Sequence, residues 1–194
     1  QNCVTSTINF QKLKLVSVGS LSKQKGFDIA IQAVALLKDN IESYTIFGEG
    51  EEKKKLQALA NKIGVNDKVI LPGYVENIQS YLSNADLGLM PSRWEGFGLS
   101  AVEMLSTGLS IVVSDVSGLR EVVGNCSAVQ LVKPENPRLL VQGIQRAIKY
   151  LEYNGINKTA LQARKCSEKF SIDAMCERYA NLYLESYHNF DFSE

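Results

Sequence analysis

Histidine is nearly absent. The 194-residue chain has one, His188, set near the C-terminus among Tyr187, Asn189 and Phe190. A histidine-centred catalytic triad is an improbable reading, and His188 reads as a surface side chain. Net charge is absent too: 21 lysines and arginines balance 21 aspartates and glutamates, so no global field draws the protein to nucleic acid or to a membrane. No apolar run approaches the roughly 18 residues that a membrane helix needs, and the opening residues carry no signal-peptide pattern. These absences predict a cytoplasmic protein and leave peripheral attachment to the inner face of a bilayer open. The four cysteines, Cys3, Cys126, Cys166 and Cys176, form no C-x-x-C pair and have no histidine at zinc spacing; they are expected to be reduced thiols. No Asp-x-Asp cluster offers to hold a metal. The G-x-x-x-x-G-K-[ST] spacing of a Walker loop is missing, and Gly48 and Gly50 lack the third glycine of a dinucleotide fingerprint. The expectation is a protein with no metal and no cofactor.

What is present is a core and a set of loops. The length sets one or at most two domains, and a 45% hydrophobic content is enough for a sizeable interior. The organising stretch runs from Pro91 through Ser92, Arg93, Trp94, Glu95, Gly96, Phe97, Gly98, Leu99, Ser100, Ala101 and Val102 to Glu103. A buried strand, Leu87-Gly88-Leu89-Met90, precedes it. A packed helix through Leu99, Ala101, Val102 and Leu105 follows and ends near Gly108. Strand, glycine loop and helix together aim backbone N–H groups and the positive end of a helix dipole at one spot, which favours an anion, most often phosphate. Carboxylates repel phosphate. Glu95 in the loop and Glu103, about one and a half turns into the helix, are therefore suited to accept hydrogen bonds from hydroxyl groups on either side of it. The bland alternative is a helix-capping Glu95 and an exposed Glu103.

The rest of the chain repeats the pattern. Residues 1–12 read as a linker remnant. Leu13 to Val18 is a first strand; Gly19, Ser20, Lys23, Lys25 and Gly26 form a polar loop, and Phe27, Ala30, Ile31, Val34 and Leu37 mark a helix starting near Lys25 or Gly26. Tyr44 to Phe47 is a second strand, followed by a helix with Leu56, Leu59 and Ile63 on one face. Lys68 to Leu71 is a third, broken by Pro72-Gly73, and its following loop, Gly73-Tyr74-Val75, is positioned as after a central strand to read a base edge through its backbone. Ser110 to Val113 and Ala128 to Val132 complete six strands. Leu140, Ile144, Ala147, Ile148 and Leu151 mark an amphipathic helix, and another covers about 158–168. A last helix starts at Ser171, a good N-cap; its face of Ile172, Met175, Cys176, Tyr179, Leu182 and Tyr183 has core spacing and is expected to pack rather than to stack on bases. Residues 13–187 thus form one domain with a tail at 188–194. Its fold class is α/β, a doubly wound, Rossmann-like parallel sheet of about six strands with helices on both faces. Glycine-bearing loops at 19–26, 48–50, 73–75 and 91–98 all follow strand carboxyl ends, where open α/β sheets bind ligands.

These motifs resemble a known family. Glu95-Gly96-Phe97-Gly98-Leu99-Ser100-Ala101-Val102-Glu103 is similar to the E-x7-E signature of retaining glycosyltransferase family 4. Val18-Gly19-Ser20-Leu21 with Lys25-Gly26 resembles its G-R-L…K-G loop, Gly48-Glu49-Gly50 its G-x-G turn, and Leu71 to Val75 its G-x-V segment. Ser114 to Glu121 resembles its S-x-x-x-G-x-x-E stretch. The resemblance implies the C-terminal, donor-binding half of a GT-B fold, with a preceding domain of comparable size that contacts a glycan or lipid-linked acceptor. It implies a UDP- or GDP-linked sugar donor, hexosyl transfer with retention, and no metal. Carried over, Lys25 pairs with the donor diphosphate, with Gly19 and Ser20 beside it. Gly98, Leu99 and Ser100 offer N–H groups to the phosphates, Glu103 accepts from the ribose, and Glu95 with the Gly96 and Phe97 backbone holds the sugar. Tyr74 and Val75 face the base. One position departs: Ser20 stands where the family has arginine, with Lys23 a candidate substitute. Two other readings compete, a non-catalytic nucleotide-sugar binding module and another GT-B enzyme such as an epimerase. Transfer to a defined acceptor separates the first from an enzyme, and release of free or epimerised sugar marks the second.

Overall fold

A computed structural model describes residues 9–188 of the chain. Cys3, most of the expected linker and the tail beyond 188 lie outside the described residues. The strands are β1 (Leu13–Val18), β2 (Ile41–Phe47), β3 (Val69–Gly73), β4 (Leu87–Met90), β5 (Ile111–Ser114) and β6 (Val129–Val132). The helices are α1 (Phe27–Leu36), α2 (Lys53–Lys62), α3 (Ile78–Leu82), α4 (Leu99–Ser106), α5 (Ser117–Val123), α6 (Pro137–Asn154), α7 (Ile156–Glu168) and α8 (Ile172–His188).

The six strands pair in the order β3-β2-β1-β4-β5-β6, all parallel. Side chains alternate across a strand with period two, and the two faces separate accordingly. Leu13, Leu15, Leu87, Leu89 and Val112 point into one core, which α1, α2 and α6 close with Phe27, Ile31, Val34, Leu56, Leu140 and Ile144. Val16, Met90, Ile111 and Val113 point into the other, closed by Leu82, Ala101, Met104, Leu105, Leu119 and Ala163 from α3, α4, α5 and α7. The expected doubly wound α/β sheet is therefore present.

The strand order reverses between β1 and β4, the place where such sheets open a crevice at their carboxyl ends. The two strands share only two residue pairs, Leu15 with Leu87 and Val16 with Gly88. Beyond them the ladder stops. The Ser17 hydroxyl instead donates to the Leu89 carbonyl at 2.7 Å and lies 2.8 Å from the Tyr44 hydroxyl. Its one proton is committed to Leu89, so Tyr44 donates to it. This buried link holds β1, β2 and β4 together just below the opening.

Four expectations need correction. Pro72 and Gly73 do not break β3, which runs through to Gly73. Proline is tolerated there because β3 is an edge strand, with a side that needs no ladder partner. For the same reason Gly73-Tyr74-Val75 follows an edge strand and not a central one. The cysteines are not all thiols: Cys126, just after α5, is disulfide-bonded to Cys166 of α7, their Cα atoms 5.9 Å apart. A separation of 40 residues carries no local spacing signal; the pair meets because α7 packs on α4, which α5 also touches. Finally, α8 does not bury its apolar stripe. Ile172 is 75% and Tyr183 72% exposed, and Met175, Tyr179 and Leu182 are exposed with them. Periodicity shows that a face is apolar, not where its partner is.

Candidate functional site

Two loops flank the crevice. After β1 the chain passes Gly19 and Ser20, makes a short 3-10 turn at Lys23–Lys25 and enters α1 through Gly26, which has φ 64°. After β4 it runs through residues 91–98 and enters α4 through Gly98, with φ 91°. Neither helix start has a side-chain cap. α6 is different: the Asn136 side chain accepts from the Arg138 and Leu139 N–H groups. The first-turn donors of α4 are thus left without side-chain acceptors at the crevice, the arrangement that attracts anions.

The loops are fastened to each other. A Cβ on Gly26 would collide with the Pro91 carbonyl oxygen, so only glycine permits this approach. The Arg93 N–H donates to the Gln24 carbonyl at 2.8 Å, and Gln24 Nε2 donates to the Trp94 carbonyl at 3.1 Å. The Arg93 guanidinium reaches the Lys23 carbonyl, both oxygens of Asp28 and the Glu135 carboxylate. These partners hold its pKa above the ordinary arginine value, chiefly through the Asp28 hydrogen bonds. On the far side, a Cβ on Gly118 would meet the Glu95 and Gly96 carbonyls, and Leu119 lies against Gly98. α5 therefore backs the loop directly.

Across the gap Lys25 Nζ donates to Glu95 Oε2 at 2.6 Å. The two side chains are only 15% and 9% exposed. Ser92 Oγ adds a hydrogen bond to the same oxygen at 3.3 Å, and the stem of Lys25 lies over Gly19. The structure brings Lys25, Glu95, Gly19 and the α4 N-terminus at Gly98, Leu99 and Ser100 to one place. Gly96, Phe97 and Leu99 are exposed at its rim, and the Phe97 ring packs edge-on against Phe170 at 5.4 Å. Glu103 sits one turn into α4 on its outer face, where partial loss of water raises its carboxyl pKa. Ser20 is exposed, its hydroxyl 3.3 Å from that of Ser22, and Lys23 points outward while its carbonyl serves Arg93. Tyr74 and Val75 stand at the end of edge strand β3, with the Tyr74 ring 75% exposed and Val75 packed against the second core.

Arg93, Asp28, Gln24 and Ser92 were not foreseen as site residues. An arginine two residues before Glu95 in an otherwise uncharged loop was the available signal; its acceptors lie 65 and 42 residues away, beyond the reach of any local pattern. An open groove of about 460 Å³ between Leu36 of α1 and Pro137 of α6 is built from other residues than the Lys25–Glu95 pair.

Two glycine-bearing loops at the switch point of a parallel sheet are the arrangement with which open α/β domains bind their ligands. The chain belongs to the family of glycosyl transferases group 1, whose model matches residues 5–160. An uncharacterized glycosyltransferase of Methanocaldococcus jannaschii is 30% identical over 177 residues, covering 87% of this chain and 44% of that protein. The N-acetylgalactosamine-N,N'-diacetylbacillosaminyl-diphospho-undecaprenol 4-alpha-N-acetylgalactosaminyltransferase of Campylobacter jejuni is 32% identical over 171 residues, covering 88% and 46%. Among solved structures, Anabaena HepE in complex with UDP superposes with a TM-score of 0.81 at 21% identity, over 90% of this chain and 49% of that one. At that identity the match speaks for the fold, the Rossmann-like domain of GT-B glycosyltransferases. The chain spans less than half the length of these two curated relatives. Among the described residues no helix is long and apolar enough to cross a membrane.

Proposed function

We propose that this chain is the nucleotide-sugar donor-binding half of a retaining glycosyltransferase, one that passes a hexosyl group from a UDP- or GDP-linked donor to a glycan or lipid-linked acceptor. The observation that carries the reading is the Lys25–Glu95 pair, 2.6 Å apart, beside the uncapped start of α4. A cation and a row of N–H donors beside a carboxylate match two parts of such a donor, the diphosphate and the sugar hydroxyls. In this reading Lys25 and the N–H groups of Gly98, Leu99 and Ser100 take the diphosphate, while Gly19 and Ser20 form the floor beside it. Glu103 accepts from the ribose. Glu95, with the backbone of Gly96 and Phe97, holds the sugar, and the Tyr74–Val75 backbone meets the base.

The chemistry follows from charge. The bond from the anomeric carbon to the phosphate oxygen breaks as positive charge grows on the sugar and negative charge on the leaving diphosphate. Preorganised donors at Lys25 and the α4 N-terminus stabilise that leaving group, a contribution of several kcal/mol in sites of this kind. No step of the reading needs a metal or cofactor. The acceptor belongs to the part of the longer protein outside this chain. The name of the Campylobacter relative, which specifies a diphospho-undecaprenol-linked acceptor, supports a lipid-linked one; work at the inner membrane face is part of the same proposal. The bare stripe of α8, with Ile172, Met175, Tyr179, Leu182 and Tyr183 exposed on it, is where that remaining half packs, since the relatives run to about twice the length of this chain.

Calorimetric titration with UDP, GDP, ADP and their sugar conjugates tests the donor site. One nucleotide should bind saturably, and Lys25→Ala and Glu103→Ala should each weaken it. In the longer protein, transfer should retain the anomeric configuration by proton NMR; an inverted product would overturn the mechanism. The departure at Ser20 favours one other reading, a binding module without transfer, and failure of the longer protein to transfer any sugar from a donor that it binds would establish it.

A further inference from the structure

Lys25 and Glu95 engage each other across the crevice. The ammonium and carboxylate are 2.6 Å apart, nearly buried, and Ser92 steadies the same carboxylate oxygen. An incoming diphosphate draws on Lys25. It either takes the ammonium away, leaving Glu95 a nearly buried carboxylate with Ser92 alone, or shares it, with Glu95 held as a like charge beside the phosphates. Both outcomes are unfavourable.

The penalty differs between two ligands that share a nucleoside and a diphosphate. A sugar-bearing diphosphate brings hydroxyl donors that replace the hydrogen bond Glu95 loses, and a hydroxyl donating to a carboxylate is among the stronger neutral-to-charged contacts. The nucleoside diphosphate left after transfer brings none, and its terminal phosphate is more negatively charged. Resting on the donor-site reading above, we propose that Glu95 is the specificity determinant by which this site distinguishes the sugar-bearing donor from the spent nucleoside diphosphate. Its carboxylate opposes the bare diphosphate and accepts from the sugar. The same residue therefore favours loading and product release. The loop geometry fits this role. Arg93 and Gln24 tie the segment around Glu95 to the segment around Lys25, so the backbone that carries the carboxylate stays beside Lys25 when the ammonium is drawn off.

The test is calorimetry on this chain with UDP and UDP-glucose, and with GDP and GDP-mannose alongside, on the wild type, Glu95→Gln and Lys25→Met. Glutamine keeps the shape and the acceptor oxygen but not the charge. In Glu95→Gln the bare diphosphate should bind about ten-fold tighter, equivalent to about 1.4 kcal/mol. The sugar conjugate should bind no tighter, so the preference for it falls by about the same factor. In Lys25→Met both ligands should weaken. Circular dichroism reports whether the variants are folded, and Glu95→Ala, read the same way, replaces the glutamine variant if that one is not. Unchanged or weaker UDP and GDP binding in the folded Glu95 variants, with the wild type binding normally, overturns this inference and leaves the donor site standing. Absence of binding by all four ligands to the wild type and variants overturns the donor site and this inference together.

Discussion

The loop at 91–98 and helix α8 both present aromatic and apolar side chains to solvent, yet they are held in opposite ways. In the loop Trp94 and Phe97 are exposed on a backbone tied to residue 24, to α1 through Arg93 and Asp28, and to α5 through Gly118. In α8 the exposed residues Ile172, Met175, Tyr179 and Leu182 sit on a helix whose start is fixed locally: the Ala174 N–H is capped by Ser171 Oγ at 3.1 Å. A rigid backbone with exposed side chains is what a small-ligand site requires, since the order is supplied before the ligand arrives. A bare apolar stripe on a long helix is what a macromolecular contact requires. The difference separates a braced loop from an unpacked helix face.

The comparison breaks first at Gly118. Gly118→Val forces α5 off the Glu95 and Gly96 carbonyls, and the expected cost is about 3 kcal/mol, with nucleotide binding lost more than ten-fold. Gly96→Ala, whose Cβ meets nothing within 4 Å, should leave the melting temperature nearly unchanged. Equal melting temperatures for the two variants would show that α5 does not brace the loop. Next comes the Cys126–Cys166 bridge, which joins the end of α5 to α7. Cys126→Ser should lower stability by about 2 kcal/mol. Alkylation without reductant should label Cys176 and spare Cys126 and Cys166; labelling of all three in freshly isolated protein would refute the bridge. The third test is on α8. Tyr179→Ser with Leu182→Ser should shift the stability of this chain by less than about 0.5 kcal/mol. In the longer protein the same pair should cost about 2 kcal/mol per residue. A large loss in the short chain would mean that α8 is already packed.

Much of the crevice was legible because its signals are local. The strand at 87–90, the glycine at 98 and the helix from Leu99 lie within one short stretch, and period-two and period-3.6 patterns assign them. The alternation of strands and helices likewise set the parallel sheet. Three kinds of feature were not legible. The Arg93–Asp28 and Cys126–Cys166 links join residues whose distance in sequence hides their contact. The edge position of β3 depends on strand order, which the chain order does not state; it turned an apparent strand break at Pro72 into a permitted edge proline. The partner of α8 is not encoded in its stripe. The lone Gly118 was visible as part of a family pattern, but its reason, the Glu95 carbonyl against its Cα, is a tertiary one.

The smallest effect concerns Glu103, and it sharpens the comparison from the side of the crevice. Burial raises its carboxyl pKa above the usual 4.5, so the folded state holds the proton more tightly than the unfolded one. A group raised in this way favours the fold below its unfolded pKa and loses that contribution as pH rises through the folded value. At neutral pH the charged carboxylate is therefore a slight burden. Glu103→Gln should stabilise the chain at pH 7 by less than about 0.5 kcal/mol, and the gain should vanish below about pH 4, where the wild-type side chain is neutral too. The same change removes a charged acceptor from the site and should weaken nucleotide binding about ten-fold, or about 1.4 kcal/mol. Thermal melts at pH 7 and pH 4 together with calorimetry at pH 7 read both quantities. A residue that lowers stability slightly where it stands, and whose replacement lowers affinity, is placed for a ligand. If Glu103→Gln left affinity intact, Glu103 would be an ordinary exposed glutamate of α4, and the site would end at Ser100.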